Sequence, residues 1–188
     1  HVQENLRPEP HQVFHVKCTK NVRLTPLEYA RNVFHLEFDT TGTNLKYHIG
    51  DALGVFGQND VEEVKAFIEF YSLRAQAFVA LPRGAPQELL TVEQLLKQRI
   101  DLFGKPSQKF YAFLAHYAKD SYEQKKLKWM GSEDKEAFKL RQYEAVTFAD
   151  VLTEFKSAHP PLLDLIQAIP AIKPRHYSIS SSMKMHPN

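Results

Sequence analysis

The sequence contains a single cysteine, Cys18, among its 188 residues. One thiol excludes an internal disulfide framework and any metal site built only from cysteines. It fits a reducing compartment, so we expect a cytoplasmic protein. Cys18 has no basic neighbour at helical or C-x-x-C spacing, which predicts a buried structural thiol rather than a reactive one.

Long apolar runs and an excess of one charge are also lacking. No stretch approaches the length of a membrane span, and none has the pattern of a signal peptide. We therefore expect no membrane partner. The formal net charge is only +2, which is too small to indicate nucleic acid as a partner. G-x-G-x-x-G and Walker motifs are absent, which excludes those two phosphate-binding loops from this sequence.

What is present is typical of a soluble globular protein. The hydrophobic fraction is 43% and the charged fraction is 24%. This length can bury one large core or two small ones. The sequence opens at His1 and closes with Pro187 and Asn188 in a loop-like stretch, and we interpret it as a piece of a longer protein.

The first third of the sequence has the pattern of β-structure. Residues 1–10 are polar and predict a loose lead-in. Alternating apolar residues predict strands over 13–19 and 32–38, the second half-buried. Residues 39–44 predict a turn. The strand pattern resumes at 45–47, and glycines punctuate a further strand at 50–56. This spacing is typical of a small antiparallel barrel.

From Asn59 onward the pattern is mostly helical. Asn59 or Asp60 is a suitable cap for a first helix, and residues 77–81 predict a short strand before a proline-bracketed loop. Further helices are predicted to begin at Thr91, with a capping box, and at Ser107, Ser132 and Thr147. The Thr91 helix is expected to end near Gly104, and a last helix covers 162–169. The fold class is therefore α+β, with a helical block inserted into a β domain.

Several side chains that could carry chemistry have simpler explanations. His11 and His15 are four apart on a predicted strand, so we expect surface histidines rather than metal ligands. His116 lies in an aromatic helix and is expected to be packed. Ser178 lacks a G-x-S-x-G context, so a hydrolase nucleophile is not expected. Residues 119–128 carry four lysines, which fits a solvated helix face or a docking patch for an acidic partner.

Residues 173–182 combine a cation, an aromatic ring and several hydroxyls. Pro174 favours an extended chain before it, and the alternation predicts a strand. Arg175 and Tyr177 then share one face, while His176 and Ser178 share the other. Such a strand end could offer a guanidinium to phosphate and a ring face to a flat ligand. An ordinary serine-rich exit from a strand is the alternative.

Two motifs together resemble a known family. Arg175-x-Tyr177-Ser178 resembles the flavin-binding R-x-Y-S motif of the ferredoxin–NADP reductase superfamily, and residues 47–55 resemble the Y-x-x-G-D-x-L-x-V strand of its diflavin branch. Residues 50–60 look most like the sulfite reductase flavoprotein members. Residues 31–39 and 101–104 look similar to the fungal ones. The resemblance covers residues 12–188.

The resemblance implies an FAD-binding antiparallel β-barrel, incomplete here, over residues 11–87 and 171–188, with an all-α connecting insertion over 88–170. It implies that Arg175 pairs with the FAD pyrophosphate and that Tyr177 lies against the isoalloxazine and ribityl region. Ser178 would bond near flavin N5, and His176 would contribute mainly its backbone. No catalytic side chain and no metal ligand is implied.

The resemblance also implies the reaction. FAD would take a hydride from NADPH and pass electrons singly to an FMN-binding flavodoxin-like module, and then to a haemoprotein subunit, for sulfite reduction. The NADPH-binding domain, the FMN module and the second flavin motif, Gly-x-Cys/Val-Ser/Thr, are missing from this sequence. We therefore expect the piece alone to bind FAD weakly and not to turn over NADPH. The alternatives are a flavin-free scaffold that positions a redox partner and a domain of unknown role.

Overall fold

A computed structural model describes residues 13–80, 89–132 and 135–186 of the chain. Within these ranges the chain forms six strands and seven helices. In chain order they are β1 (Lys17–Arg23), β2 (Phe34–Asp39), β3 (Ala52–Val55), α1 (Val61–Phe70), β4 (Phe78–Ala80), β5 (Leu89–Thr91), α2 (Val92–Gln98), α3 (Gln108–Ala115), α4 (Ser121–Ser132), α5 (Lys135–Tyr143), α6 (Phe148–Glu154), α7 (Leu162–Ala168) and β6 (Arg175–Ser178).

The strands form three two-stranded sheets, which pair β1 with β2, β3 with β6, and β4 with β5. The predicted mixture of helices and strands is confirmed. Among the described residues the strands do not close into a barrel. The predicted turn after β2 is confirmed by the bond from Thr43 N to Thr40 O, 3.0 Å long. The predicted strand at 45–47 is wrong, since these residues lie in irregular backbone.

The chain divides into two compact units. The first comprises His1–Leu53 and His176–Asn188, and the second comprises Gly54–Arg175. The second unit contains all seven helices and the β4–β5 sheet. The sequence predicts a helical insertion over 88–170, which is shorter than this second unit. Those sequence-based limits stay a prediction.

Pairing with β2 sets the bounds of β1. The two strands are antiparallel, with Lys17 opposite Asp39 and Arg23 opposite Phe34, and the register shifts between Cys18 and Lys20. The strand therefore runs from 17 to 23, rather than from 13 to 19, because its hydrogen-bond partners extend over that range. The strand predicted at 32–38 is confirmed, displaced by one or two residues at its ends.

Burial on this sheet differs from the expectation. Phe34 is 49% exposed, and Leu36 and Val22 are exposed as well. Cys18 is exposed and free, so the prediction of a buried thiol was wrong. The reason is that the sheet has only two strands, and the apolar face of β2 has no layer packed on it among the described residues. An alternating sequence pattern shows which residues share a face of a strand, but it does not show which residues pack on that face.

The hydrophobic core of the described residues belongs to the second unit. Its buried apolar side chains come from α1–α7 and the connections between them, for example Val64, Leu95, Leu102, Leu114, Leu127, Leu152, Phe155 and Leu165. The inward orientation predicted for Val151, Leu152 and Phe155 is confirmed. The predicted packing of His116 is wrong, because this residue is the C-terminal cap of α3 and is exposed.

Local capping explains where three helices begin. The Asp60 carboxylate accepts bonds from Glu62 N and Glu63 N at the start of α1. Thr91 forms a capping box with Gln94 at the start of α2, and Thr147 forms one with Asp150 at the start of α6. Each bond satisfies an amide that the helix cannot pair internally. These helix starts confirm the sequence prediction.

Two predicted helix limits are wrong for reasons that lie elsewhere in the chain. Helix α2 stops at Gln98 rather than near Gly104, because Ile100 forms a β-bridge with Ala171 and Asp101 N bonds Pro170 O. Ser132 does not cap a new helix. It is the last residue of α4, and its hydroxyl donates to Lys128 O over 2.7 Å.

Helices α3 and α4 pack closely at Gly131. A Cβ atom at this position would lie 2.7 Å from Ala112 N and 2.9 Å from Ala112 Cα. Helix propensity alone would make Gly131→Ala stabilising by about 1 kcal/mol. Because the contact is with backbone, which cannot swing aside, we expect the variant to be destabilised by about 1–3 kcal/mol. Urea denaturation followed by far-UV circular dichroism measures it, and a stabilised variant would contradict the close packing.

None of the helices in the described ranges has both the length and the apolar character needed to cross a bilayer.

Candidate functional site

The four residues singled out in the sequence form strand β6. Pro174 precedes it, and proline disfavours helix for the residue before it. Lys173 accordingly lies outside any helix, and β6 pairs with β3. Arg175, His176, Tyr177 and Ser178 are all exposed. The predicted strand is confirmed, and the structure brings these residues together at the surface.

Arg175 and Tyr177 lie on the same side of β6, since successive side chains of a strand alternate. No hydrogen bond or ion pair joins the Arg175 guanidinium to another residue within the described ranges. Tyr177 is 56% exposed. A guanidinium fork with free donors suits phosphate oxygens, and an exposed ring face suits a flat aromatic ligand.

Ser178 lies on the opposite side of the strand from Tyr177. Among the described residues, no histidine or carboxylate bonds its hydroxyl, so a base to activate it is lacking. No group of three or more histidine, cysteine, aspartate or glutamate side chains in the described part of the chain could hold a metal ion. The arrangement of Arg175 and Tyr177 fits binding of an organic anion with an aromatic ring.

A second segment is held against the end of β6 by contacts that sequence reasoning missed. The hydroxyls of Tyr47 and Ser181 are 2.6 Å apart, and Ile179 N donates to Asp51 O over 3.3 Å. The Asp51 carboxylate accepts from His48 N over 2.7 Å and closes a turn. Gly50 occupies this turn with a φ of +96°, which favours glycine.

Tyr47 and Ser181 are separated by 134 positions. Neither periodicity nor turn chemistry reports on so distant a pair. The result is a short surface formed by the turn at residues 47–51 and residues 179–181, continuous with the strand that carries Tyr177.

The sequence matches the family described as FAD binding domain over residues 7–188. The chain belongs to this family. The match includes β3, β6 and every helix between them. The guanidinium of Arg175 and the exposed ring of Tyr177 therefore lie in a domain whose family is described as binding FAD, a ligand with a pyrophosphate and a flat ring system.

The chain is similar to two fungal sulfite reductase flavoproteins. The chain is 40% identical over 195 positions to the sulfite reductase [NADPH] flavoprotein component of Saccharomyces cerevisiae, covering 100% of this chain and 19% of the yeast protein. It is 43% identical over 193 positions to the probable sulfite reductase [NADPH] flavoprotein component of Schizosaccharomyces pombe, covering 98% of this chain and 19% of that protein.

More distant relatives have different names. The mitochondrial pyruvate dehydrogenase [NADP(+)] of Euglena gracilis is 34% identical over 163 positions, covering 85% of this chain and 9% of that protein. The chain spans about a fifth of the length of the sulfite reductase flavoproteins it matches.

Proposed function

We propose that this FAD binding domain serves an NADPH-dependent flavoprotein reductase. Electrons would pass from NADPH through FAD and FMN to a haemoprotein, for the reduction of sulfite. The identities of 40% and 43% to two fungal sulfite reductase flavoproteins, over essentially the whole chain, carry this proposal. The lower identity of 34% to a pyruvate dehydrogenase makes that reaction a weaker candidate.

The residues of β6 are proposed to hold the FAD. Arg175 would bind the pyrophosphate, because its donors are free among the described residues and two phosphate oxygens match its fork. Tyr177 would pack against the flavin ring. Ser178 would donate a hydrogen bond to the flavin edge, and His176 would contribute its backbone. The bound flavin supplies hydride and single-electron chemistry, while the protein supplies position and polarity.

The β strands are proposed to be part of a larger flavin-binding barrel. The exposed apolar residues of β2 fit a strand surface that is covered in a complete barrel. The segments 11–87 and 171–188 would contribute to that barrel. The residues between them, 88–170, would form the helical connecting insertion, which contains most of the buried core described above.

The proposed partners follow from the same reaction. An NADPH-binding domain would supply the hydride, an FMN-binding flavodoxin-like module would accept electrons, and a haemoprotein subunit would receive them. The exposed, unpaired thiol of Cys18 fits a reducing compartment such as the cytoplasm.

The visible spectrum of the complete native protein that contains this chain tests the proposal. We expect a flavin spectrum that is bleached on mixing with NADPH under nitrogen and restored by an oxidised haemoprotein. Assaying the reoxidation with sulfite present identifies the acceptor. A colourless protein that still binds a haemoprotein or flavodoxin partner would refute the reductase and would instead identify a flavin-free scaffold.

A further inference from the structure

Helix α4 and the residues just before it carry lysines that have no ion-pair partner among the described residues. Lys119, Lys125 and Lys128 are exposed. Within the described ranges none of the three forms an ion pair, and Lys128 reaches only the neutral amide oxygen of Gln124, at 3.4 Å. Lys125 and Lys128 are three residues apart and therefore lie on neighbouring positions of the helix surface.

Two carboxylates of this segment, those of Asp120 and Glu123, are committed to other bonds. Asp120 accepts from Tyr122 N and Glu123 N, both at 2.9 Å, and so caps α4. The Glu123 carboxylate accepts from the backbone and the hydroxyl of Ser157, at 3.0 and 2.6 Å. These two carboxylates therefore do not pair with the lysines, and this face of α4 carries positive charge in the folded protein.

Two aromatic side chains stand beside these lysines. Tyr122 is 73% exposed and Trp129 is 51% exposed. They are seven residues apart, or about two helical turns, so they lie on one face of α4 together with Lys125. Leu127 and Met130 point the other way and are buried. The α4 patch is therefore defined as Lys119, Tyr122, Lys125, Lys128 and Trp129.

A groove of about 440 Å³ begins at Trp129. Met130 of α4, Ala137 and Leu140 of α5, and Val146 form its other apolar lining. Leu140 is exposed. The volume is sufficient for one large apolar side chain, which would cover Trp129 and Leu140 at the same time.

The groove is also lined by two cations, Lys126 and Arg141, and by three carboxylates, Glu144, Asp150 and Glu154, so it offers no excess positive charge of its own. The guanidinium of Arg141 and the ammonium of Lys126 both bond the Glu154 carboxylate, at 2.7 and 2.9 Å. Burial alone would raise the pKa of Glu154, but these two cations outweigh it and lower the pKa. Asp150 is engaged in the cap of α6. An incoming carboxylate would therefore find its uncompensated partners in the α4 patch, beside the groove.

We propose that the α4 patch and this groove bind an acidic segment of a partner protein. Carboxylates of the segment would face Lys119, Lys125 and Lys128, and one aromatic or aliphatic side chain would enter the groove next to Trp129. A second copy of this chain is a poor occupant, because its formal net charge is +2. The apolar groove favours a protein over nucleic acid, whose charged backbone offers nothing to fill it. The inference does not depend on flavin binding.

Trp129 allows a direct test, because it is the only tryptophan in the sequence. The 188-residue chain is titrated with a synthetic peptide of glutamates around one central phenylalanine, and the emission of Trp129 is recorded. We expect a saturable blue shift, because the ring of Trp129 becomes shielded from water. Binding should weaken as ionic strength rises. A peptide with alanine in place of phenylalanine should bind more weakly and shift the emission less.

Variants that remove lysine charges test whether the α4 patch is the surface that binds the peptide. We expect Lys125→Gln/Lys128→Gln to weaken peptide binding by about tenfold, since both substitutions remove charge that faces the peptide. Lys46→Gln/Lys65→Gln removes the same charge from exposed lysines outside α3–α6 and should bind like the wild type. Circular dichroism establishes that each variant is folded.

Three outcomes would overturn the proposal. The first is no change in Trp129 emission at any peptide concentration. The second is equal weakening by the two double variants, which would indicate nonspecific attraction. The third is tighter binding of single-stranded DNA or of phosphatidylserine vesicles than of the peptide, with the same dependence on Lys125 and Lys128. The third outcome would assign the surface to nucleic acid or to a membrane.

Discussion

Replacing Arg175 with alanine is expected to weaken FAD binding to this chain by about 10- to 100-fold. The estimate follows from the loss of a charged hydrogen bond, about 1.5–3 kcal/mol, where each 1.4 kcal/mol is about tenfold in affinity. No described residue competes for the Arg175 guanidinium, so its removal leaves the folded protein without a broken pair. Titration of the chain with FAD, followed by quenching of flavin fluorescence, measures the dissociation constant.

Two further variants test whether the loss of affinity is specific to the guanidinium at position 175. Arg175→Lys keeps the charge but replaces the planar fork by a single ammonium, so we expect affinity between those of the wild type and Arg175→Ala. Arg74→Ala removes an exposed arginine elsewhere and should leave the affinity unchanged. If Arg175→Ala binds FAD as tightly as the wild type does, the assignment of Arg175 to the pyrophosphate is wrong.

Features encoded within a few residues were predictable from the sequence. The caps at Asp60, Thr91 and Thr147 each involve residues two or three positions apart, and the structure contains all three. The strand at Arg175–Ser178 is of the same kind, because a proline and an alternating pattern determine it locally. The four candidate site residues come together because they are consecutive in one strand.

Features that depend on distant partners were not predictable in this way. The exposure of Cys18 and Phe34 depends on what covers a two-stranded sheet, and alternation carries no information about a missing layer. The end of α2 depends on a bridge between Ile100 and Ala171. The Tyr47–Ser181 contact, which holds a turn against the strand of the candidate site, has the same non-local origin.

The outer face of α4 shows how structure can decide between two interpretations of one sequence. Four lysines in residues 119–128 fit either a solvated helix or a docking patch. The structure assigns Lys126 to Glu154 and commits the neighbouring carboxylates to capping and to Ser157. What is left is positive charge beside an apolar groove, a combination that a merely solvated face does not need.

The largest loss of stability is expected for Phe155→Ala. Phe155 is 1% exposed and follows the last residue of α6. The ammonium of Lys126 lies 5.2 Å from the centre of its ring. Truncation removes the buried ring, leaves a cavity and abolishes the cation–π contact, so we expect the free energy of unfolding to fall by about 3–5 kcal/mol. Urea denaturation followed by Trp129 emission measures it, since Trp129 belongs to the same helical unit.

Leu163→Ala is the matched control, because it shortens an apolar side chain that is 54% exposed on α7. Its effect should stay within about 0.5 kcal/mol, as for most surface substitutions. Both variants remove apolar atoms, but only Phe155→Ala opens a cavity. A difference between their free energies of unfolding therefore reports the effect of burial and not that of apolar character alone. If the two variants unfold at the same urea concentration, Phe155 does not belong to the core. The core would then have to be assigned to other residues of the helical unit.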